Sequence, residues 1–282
     1  MELERIKYRN RLQPSSELAF ALLCVQLSFP HRLWELSKIF GRSEAYLSIV
    51  WTDTIEYLDS RYKRIIRWHP VLQYRRLKRY AKALQRFGGG GHIWGFLDGT
   101  FVGIARPIYR QKLTYSGYKK KHGIKFQGLV TPDGLIASLA GPFMGEVNDN
   151  RMVTESRLLA QLRHVFEDRE ELYLYGDQAY TQLYGIIAPY TGGREAPPHQ
   201  RAFNKRMSSM RIAVENAFGL TQVLWTRNAF SKRLKIGQSA VASHYRMAVL
   251  LTNIYTCIRG NQISGRFLVR PPSLRSYLTA KA

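Results

Sequence analysis

Residues 16–85 carry apolar side chains at the three-to-four-residue spacing of α-helices. One such stripe consists of Leu18, Leu22, Leu23 and Leu27. The pattern predicts two further helices over residues 33–40 and 43–58, with a short turn between them and Ser43 as the N-cap of the second. This arrangement fits a helix-turn-helix that enters a major groove and an ordinary packed pair of helices equally well.

The pattern changes after four consecutive glycines at 88–91, which we interpret as a flexible joint and a domain boundary. Beyond the joint, β-forming residues predict strands over 92–97 and 100–105, so that Asp98 ends the first of them. Residues 123–140 alternate around a Pro-Asp-Gly turn, which predicts a β-hairpin. The remaining predicted elements are a helix over 151–166, strands over 171–176 and 185–188, and helices over 208–224 and 238–258.

The order of these elements predicts a mixed α/β fold. Strands that meet in one mixed sheet with helices on its faces fit an α/β or α+β layer architecture. We therefore expect a helical N-terminal region over 1–87, a mixed core over 92–236 and a C-terminal helical extension over 237–282 that packs on the core.

The charge of the chain indicates a polyanionic partner. Its 282 residues include 43 Lys and Arg against 20 Asp and Glu, a formal net charge of +23. Such a surplus of positive charge is unusual for an enzyme that acts on small metabolites. It favours nucleic acid as the partner, because basic side chains near the phosphates displace condensed counterions. Residues 196–282 hold a single acid, Glu215, among 14 basic residues. A merely basic, soluble surface is the plainer interpretation of the charge, but it gives no reason for this one acid.

The two cysteines and the hydropathy of the chain indicate where in the cell the protein works. Cys24 and Cys257 lie in apolar segments without metal-ligand partners nearby, so we interpret both as small buried hydrophobic residues. The sequence has no apolar stretch of membrane-spanning length and a polar N-terminus, so we expect an intracellular protein that does not enter a membrane.

Three acids are placed where a metal site could form. If the predicted strands over 92–97 and 171–176 are neighbours, Asp98 and Asp177 emerge at the same edge of the sheet, and Glu215 can approach them from a helix alongside. Converging carboxylates suit Mg²⁺ or Mn²⁺, which prefer oxygen ligands. Two such ions support in-line phosphoryl transfer.

Each acid also has a structural interpretation. Asp98 and Asp177 adjoin glycines and could be turn residues, and Glu215 could pair with Arg211 one helical turn earlier. Asp149 precedes a predicted helix and could be its N-cap. The functional interpretation depends on their joint placement in a strongly basic chain.

At these residues the chain resembles the PIF/Harbinger superfamily of transposase nucleases, a group of DDE endonucleases. The resemblance extends from about residue 15 to 280. It is carried by GFLDGT (95–100), YSGYKKKHGIKFQGLVTPDGLIASLAGPFMGEVND (115–149), YGDQAY (175–180), FNKRMSSMRIAVENAFG (203–219) and YRMAVLLTN (245–253).

The resemblance implies an RNase H-like catalytic core with a triad of Asp98, Asp177 and Glu215 and two divalent ions. Asp149 matches a further acid of the family. In family members the residue before this acid is usually His, whereas in this chain it is Asn148. Members are typically nuclear, excise and insert DNA elements, and need a separate Myb-like protein for DNA recognition. A homo-oligomer is compatible with the sequence, which does not fix the oligomeric state.

The resemblance also gives roles to basic residues near the acids. We expect three consecutive lysines before the hairpin and three residues around Glu215 to bind DNA phosphates, which positions the duplex without reading its sequence. These are Lys119, Lys120, Lys121, Lys205, Arg206 and Arg211. A solvated charged face is the alternative for each of them.

The sequence therefore predicts a metal-dependent DDE transposase that cleaves transposon ends and transfers the freed strands. The first alternative is a domesticated transposase that binds DNA without cutting it. An RNase H-like nuclease acting on RNA or RNA–DNA hybrids would use the same triad chemistry. A basic structural protein would have no site, and substituting its acids would change neither metal affinity nor activity.

Overall fold

The computed structural model of the protein describes residues 1–167 and 172–279. The first residue of the strand predicted over 171–176 and the last three residues of the predicted C-terminal extension lie outside these ranges.

Four helices precede the sheet, one more than the three whose positions the apolar spacing predicts. They are α1 (Ser16–Ser28), α2 (Leu33–Phe40), α3 (Glu44–Arg67) and α4 (Tyr74–Gln85). Ser43 caps α3 as expected, since its side chain accepts a hydrogen bond from the backbone of Tyr46. The helix runs nine residues past the predicted end at 58 because Tyr62, Ile65 and Ile66 continue its buried face.

Six strands of the described chain form one mixed sheet. They are β1 (Ile93–Gly103), β2 (Tyr115–Ser116), β3 (Lys121–Val130), β4 (Ile136–Met144), β5 (Tyr173–Tyr175) and β6 (Ile186–Ile187). The order is β2-β3-β1-β5-β6, with β4 also paired to β3. Strands β1, β3 and β4 pair antiparallel, whereas β1, β5 and β6 pair parallel. The expected mixed α/β class and the β3–β4 hairpin are confirmed.

The prediction that Asp98 ends a strand is wrong. Strand β1 continues unbroken to Gly103, and Asp98 lies at its middle, opposite Gly128 of β3. The strand continues because β3 pairs with it along its length and because Thr100 and Val102, beyond the Asp-Gly pair, are buried. The same pairing excludes the interpretation of Asp98-Gly99 as a turn.

Two predicted helix boundaries are also wrong. The helix expected over 151–166 is two helices, α6 (Asp149–Ser156) and α7 (Leu158–Phe166), which meet at Arg157 in the left-handed conformation with φ 59°. The helix expected over 208–224 is α8 (Pro198–Leu224), which starts ten residues earlier. Its proline occupies the first helical position, where the missing N–H costs no hydrogen bond.

The remaining elements are short or C-terminal. They are α5 (Gln111–Thr114), α9 (Val241–Arg259), α10 (Gln262–Phe267), α11 (Leu274–Leu278) and 3₁₀ turns at Leu3–Arg5, Arg9–Arg11, Gly193–Glu195, Thr226–Ala229 and Ser231–Arg233. The long predicted C-terminal helix is α9. No helix in the described ranges has both the length and the apolar character needed to span a membrane.

One continuous apolar core joins the sheet to the helices on both sides of the glycine joint. Helix α3 packs on α9 and β4, and α4 packs on β1. Trp94 and Phe96 of β1, Phe126 of β3 and Tyr245 of α9 are buried within this core. Helices α1, α2 and part of α3 enclose a smaller cluster around Leu36 and Leu47. The sheet is therefore held rigidly, and side chains at its middle are fixed in place.

Candidate active site

A cavity of about 690 Å³ opens over the middle of the sheet, beside α8. All four acids singled out in the sequence line it, namely Asp98, Asp149, Asp177 and Glu215. Four basic residues also line it, namely Lys119, Lys121, Lys125 and Arg211. The structure thus brings together residues from five separate parts of the chain.

The parallel pairing of β1 and β5 places Asp98 and Asp177 side by side. Phe96 and Tyr175 are directly paired across these strands, and each acid comes two residues later. Residues two apart in a strand point to the same face, so Asp98 lies on the face of Phe96, and Asp177 follows the end of β5. The condition that the strands before Asp98 and Asp177 be neighbours is therefore met.

Asp149 approaches Asp98 from the first turn of α6. A Cβ atom at Gly99 would lie only 2.9 Å from Oδ1 of Asp149, so the acid lies directly against the backbone of β1. The N-cap of α6 is Asn148, whose side chain accepts from the backbone of Arg151 at 2.9 Å. The interpretation of Asp149 as the helix cap is therefore wrong.

Burial and mutual repulsion raise the pKa values of two of these acids. Burial raises the pKa of Asp98 to about 6, with Asp177 and Asp149 adding to the rise and Arg211 opposing it. Burial also raises the pKa of Asp149, against the attraction of Lys125. The pKa of Tyr180 is raised by burial and then by the charges of Asp149 and Asp98. The carboxylates therefore act on one another as a cluster.

Arg211 joins two of the acids. Its Nη1 lies 3.1 Å from Oδ2 of Asp98 and its Nη2 lies 3.0 Å from Oε1 of Glu215. The pairing of Glu215 with Arg211 that the sequence left open as an alternative is thus present. It does not remove Glu215 from the site, because the same guanidinium ties Glu215 to Asp98.

The other predicted DNA-binding residues divide into two groups. Lys119 and Lys121 line the cavity, and Lys120 between them is exposed but does not line it. Lys205 and Arg206 lie nine or ten residues before Glu215 on α8, roughly 13–15 Å along the helix axis. The side chain of Arg206 packs over Gly88 instead of pointing to the acids.

Lys125 does not stand out in the sequence, and Tyr118 does so only as part of the segment 118–122, which could hold substrate phosphates. Lys125 lies within β3, where an alternating strand pattern assigns a lysine to solvent, yet its Nζ donates to the carbonyl of Val147 at 2.6 Å. Tyr118 lines the cavity with 90% of its surface exposed. Its position beside three lysines is a signal for such a place, but core packing is the simpler explanation for a tyrosine in a chain this aromatic.

The donor chemistry of the cavity fits a hard divalent cation. Four carboxylates supply the oxygen ligands that Mg²⁺ and Mn²⁺ prefer. Within residues 1–167 and 172–279, however, no three His, Cys, Asp or Glu side chains stand at metal-binding spacing. The cation that contacts Asp98 and Glu215 is the Arg211 guanidinium.

Comparison with known proteins gives a match at the level of a family. A sequence model of the family described as DDE superfamily endonuclease matches residues 97–253, which is more than half of the chain. The matched region begins at the residue before Asp98 and contains all four acids of the cavity. Neither a curated protein sequence nor a solved structure gives a significant match.

Proposed function

Because the chain belongs to the DDE superfamily endonucleases, we propose that it is a transposase that cuts DNA at transposon ends and transfers the freed strands. The observation that carries this proposal is the single cavity that collects four carboxylates from β1, α6, α8 and the end of β5. A chain of net charge +23 provides the matching attraction for a DNA backbone.

We assign the triad to Asp98, Asp177 and Glu215, which would hold the divalent ions, with Asp149 as a further ligand. When bound, two Mg²⁺ or Mn²⁺ ions activate the attacking water or hydroxyl and stabilise the leaving oxygen. Asp98 contributes a rigid position because it lies mid-strand, whereas the side chain of Glu215 is 56% exposed and can adjust as substrate enters. No protein nucleophile is required.

Basic residues at the cavity position the substrate. Lys119, Lys121 and Arg211 lie at the cavity, where they can bind phosphate oxygens, and Lys120, Lys205 and Arg206 extend the contact along the DNA backbone. Tyr118 lies exposed at the same cavity, where its ring can pack against a sugar or base. The residues at the cavity hold the scissile phosphate against the acids, and the more distant ones bind the flanking DNA backbone.

The finer identity of the protein is part of the proposal. We infer a PIF/Harbinger-type nuclease with an RNase H-like core over 92–236, a helical N-terminal region over 1–87 and a C-terminal extension over 237–282. An acid on a central strand and a second acid after its parallel neighbour support such a core. A nuclear location, a Myb-like partner protein and a homo-oligomeric assembly belong to the same proposal.

One observation favours a second candidate, a domesticated DNA-binding protein that does not cut. The pairing of Arg211 with Asp98 and Glu215 gives two triad acids a partner without any metal. A protein that no longer cleaves DNA could retain Asp98 and Glu215 because they pair with Arg211. The same pairing is compatible with an active enzyme if the arginine moves.

The test is cleavage of labelled duplex DNA by the purified protein in Mg²⁺, Mn²⁺ or EDTA, with Glu215→Ala in parallel. Metal-dependent cutting that the variant lacks supports the transposase. If both proteins bind DNA and neither cuts, the assay is repeated with a Myb-like partner and terminal-repeat DNA. Continued absence of cutting with a partner-bound complex favours the domesticated protein.

A further inference from the structure

The carboxylates of Asp98 and Glu215 are held by one guanidinium. Arg211 reaches back to β1 with Nη1 and along its own helix with Nη2, at 3.1 and 3.0 Å. The arginine side chain is 23% exposed and that of Asp98 is 18% exposed, so the pair is shielded from solvent. An arginine with two donor edges can satisfy two acids at once, which a lysine cannot do with the same geometry.

The position of Arg211 conflicts with the role proposed for the acids. Oδ2 of Asp98 and Oε1 of Glu215 both face the guanidinium, and a divalent ion held by these two residues would need the same carboxylates. An ion and a guanidinium cannot occupy the same space between the two carboxylates. One of them must leave before the other can bind.

We propose that Arg211 is a displaceable countercation that keeps Asp98 and Glu215 together in the metal-free protein and gives way when a divalent ion enters. The inference rests on the proposed metal-dependent function of this cavity. It explains how acids that repel one another stay assembled without metal, and why no three of them stand at metal-binding spacing among the described residues. Arg211 is thus a positioning residue, which acts through the two acids it holds.

Displacement of Arg211 has a specific consequence for metal affinity. If the arrangement with the arginine withdrawn is populated about one tenth of the time, wild-type protein binds metal about tenfold more weakly than the withdrawn arrangement does. Removing the guanidinium therefore tightens metal binding, although it deletes a residue of the active site. A residue that only assists folding or DNA binding would not have this effect.

The experiment is calorimetric titration of Mn²⁺ and Mg²⁺ into the full chain without DNA, for wild type, Arg211→Gln and Arg211→Lys. The lysine variant keeps the positive charge but cannot span both acids. Arg61→Gln is the matched control, because it removes an arginine that contacts Glu2 at 3.1 Å on a distant part of the surface. We expect the dissociation constant to fall about tenfold in Arg211→Gln, to fall in part in Arg211→Lys, and to stay constant in Arg61→Gln.

Two results overturn the inference. One is an unchanged or weaker affinity in Arg211→Gln. The other is a higher metal affinity in Arg211→Gln together with an unchanged affinity in Arg211→Lys. That result would mean that the positive charge alone weakens metal binding, whether or not the side chain contacts both acids. If Arg211→Gln does not fold, Arg211→Lys and the Arg211 Nε–Hε resonance of wild type decide, since Mg²⁺ must shift that resonance if it displaces the side chain.

The outcomes also separate this inference from the proposed function. If the metal affinity of the wild-type protein equals or exceeds that of Arg211→Gln, Arg211 is not a displaceable countercation. The proposed nuclease function is unaffected by that result. Absence of metal binding in wild type and in every Arg211 variant contradicts both.

Discussion

Gly99 and Asp149 are in such close contact that a methyl group at position 99 would stand 2.9 Å from the Asp149 carboxylate oxygen. The same methyl would lie 3.0 Å from Cε of Met152, which is fully buried on α6. The absence of a side chain at position 99 therefore allows α6 to bring its first acid to β1. The glycine after Asp98 contributes to the site by leaving space.

Gly99→Ala should therefore impair the site without touching an acid. The added methyl pushes Asp149 away from Asp98, and we expect Mn²⁺ affinity to fall about 10- to 100-fold, as for displaced supporting groups of metal sites. Calorimetry measures the affinity, and circular dichroism checks the fold. Gly265→Ala is the control, because nothing lies within 4 Å of a Cβ there. Unchanged affinity in Gly99→Ala would show that Asp149 is not a ligand.

The three lysines before β3 should contribute to DNA affinity through their charge. Replacing Lys119, Lys120 and Lys121 with glutamine should weaken binding and flatten the dependence of log K on log salt, by about 0.9 for each DNA phosphate that the variant no longer neutralises. Fluorescence anisotropy with a labelled duplex at several salt concentrations measures this slope.

The control for the lysines is a triple glutamine variant of three exposed basic residues on α4, namely Arg75, Arg79 and Lys82. It removes the same charge from another surface. Equal reductions of affinity in the two variants would show that total charge, and not the cavity lysines, sets the affinity.

The acids were predictable from the sequence because strand order brings them together. The convergence of Asp98 and Asp177 required only that β1 and β5 be neighbours, and the parallel pairing of these strands fulfils that condition. The position of Asp98 within its strand was not predictable from Asp-Gly alone, since this dipeptide is typical of turns and only pairing with β3 keeps the chain extended. Long-range pairing outweighs local preference here.

The cavity's basic residues were predictable only in part. A run of three lysines is visible in the sequence, but which of them line the cavity depends on the short β2–β3 turn. Lys125 has the sequence pattern of an ordinary exposed strand lysine, and its place at the cavity depends on the packing of α6 beside β3. The bridge made by Arg211 was predictable only to Glu215, because helical spacing is local, whereas Asp98 lies 113 residues away.

The hairpin turn and α4 should unfold together. Asp133 at the turn is fully buried and accepts hydrogen bonds from Tyr80 and Thr131, each at 2.6 Å. Tyr80→Phe leaves the buried carboxylate short of a donor, which should lower the free energy of unfolding by about 1–3 kcal/mol. Urea unfolding, followed by fluorescence and circular dichroism, measures this decrease.

The matched control is Tyr46→Phe, which removes a hydroxyl from a partly exposed tyrosine near the start of α3. A single transition in all proteins would agree with one continuous core. A separate transition for the helical region, with Tyr80→Phe affecting only one phase, would contradict it.

His244 should make the protein sensitive to acid. Burial, and then the charge of Arg227, lowers the pKa of His244 to about 3, whereas an unfolded histidine titrates near 6.5. The unfolded chain therefore takes up the proton first, so stability contributed by neutral His244 is full above pH 6.5 and is lost as pH falls toward 3. The decrease is about 1.4 kcal/mol per pH unit within this window.

Urea unfolding of wild type and His244→Gln between pH 7 and pH 4 tests this prediction. The stability of wild type relative to the variant should decline with acid in the predicted window. A difference that stays constant with pH would show that His244 titrates normally in the folded protein.

We propose above all that Asp98, Asp177 and Glu215 act together in metal-dependent DNA cleavage. The most direct measurement is the rate of duplex cleavage in Mn²⁺ by Asp98→Asn, Asp177→Asn and Glu215→Gln, with Glu17→Gln on α1 as the control for removing one exposed charge. Each triad variant should cleave at least about a hundredfold more slowly, a larger effect than is typical for supporting groups, while the control keeps the wild-type rate. A wild-type cleavage rate in any of the three carboxamide variants would contradict the assignment of Asp98, Asp177 and Glu215 as the catalytic triad.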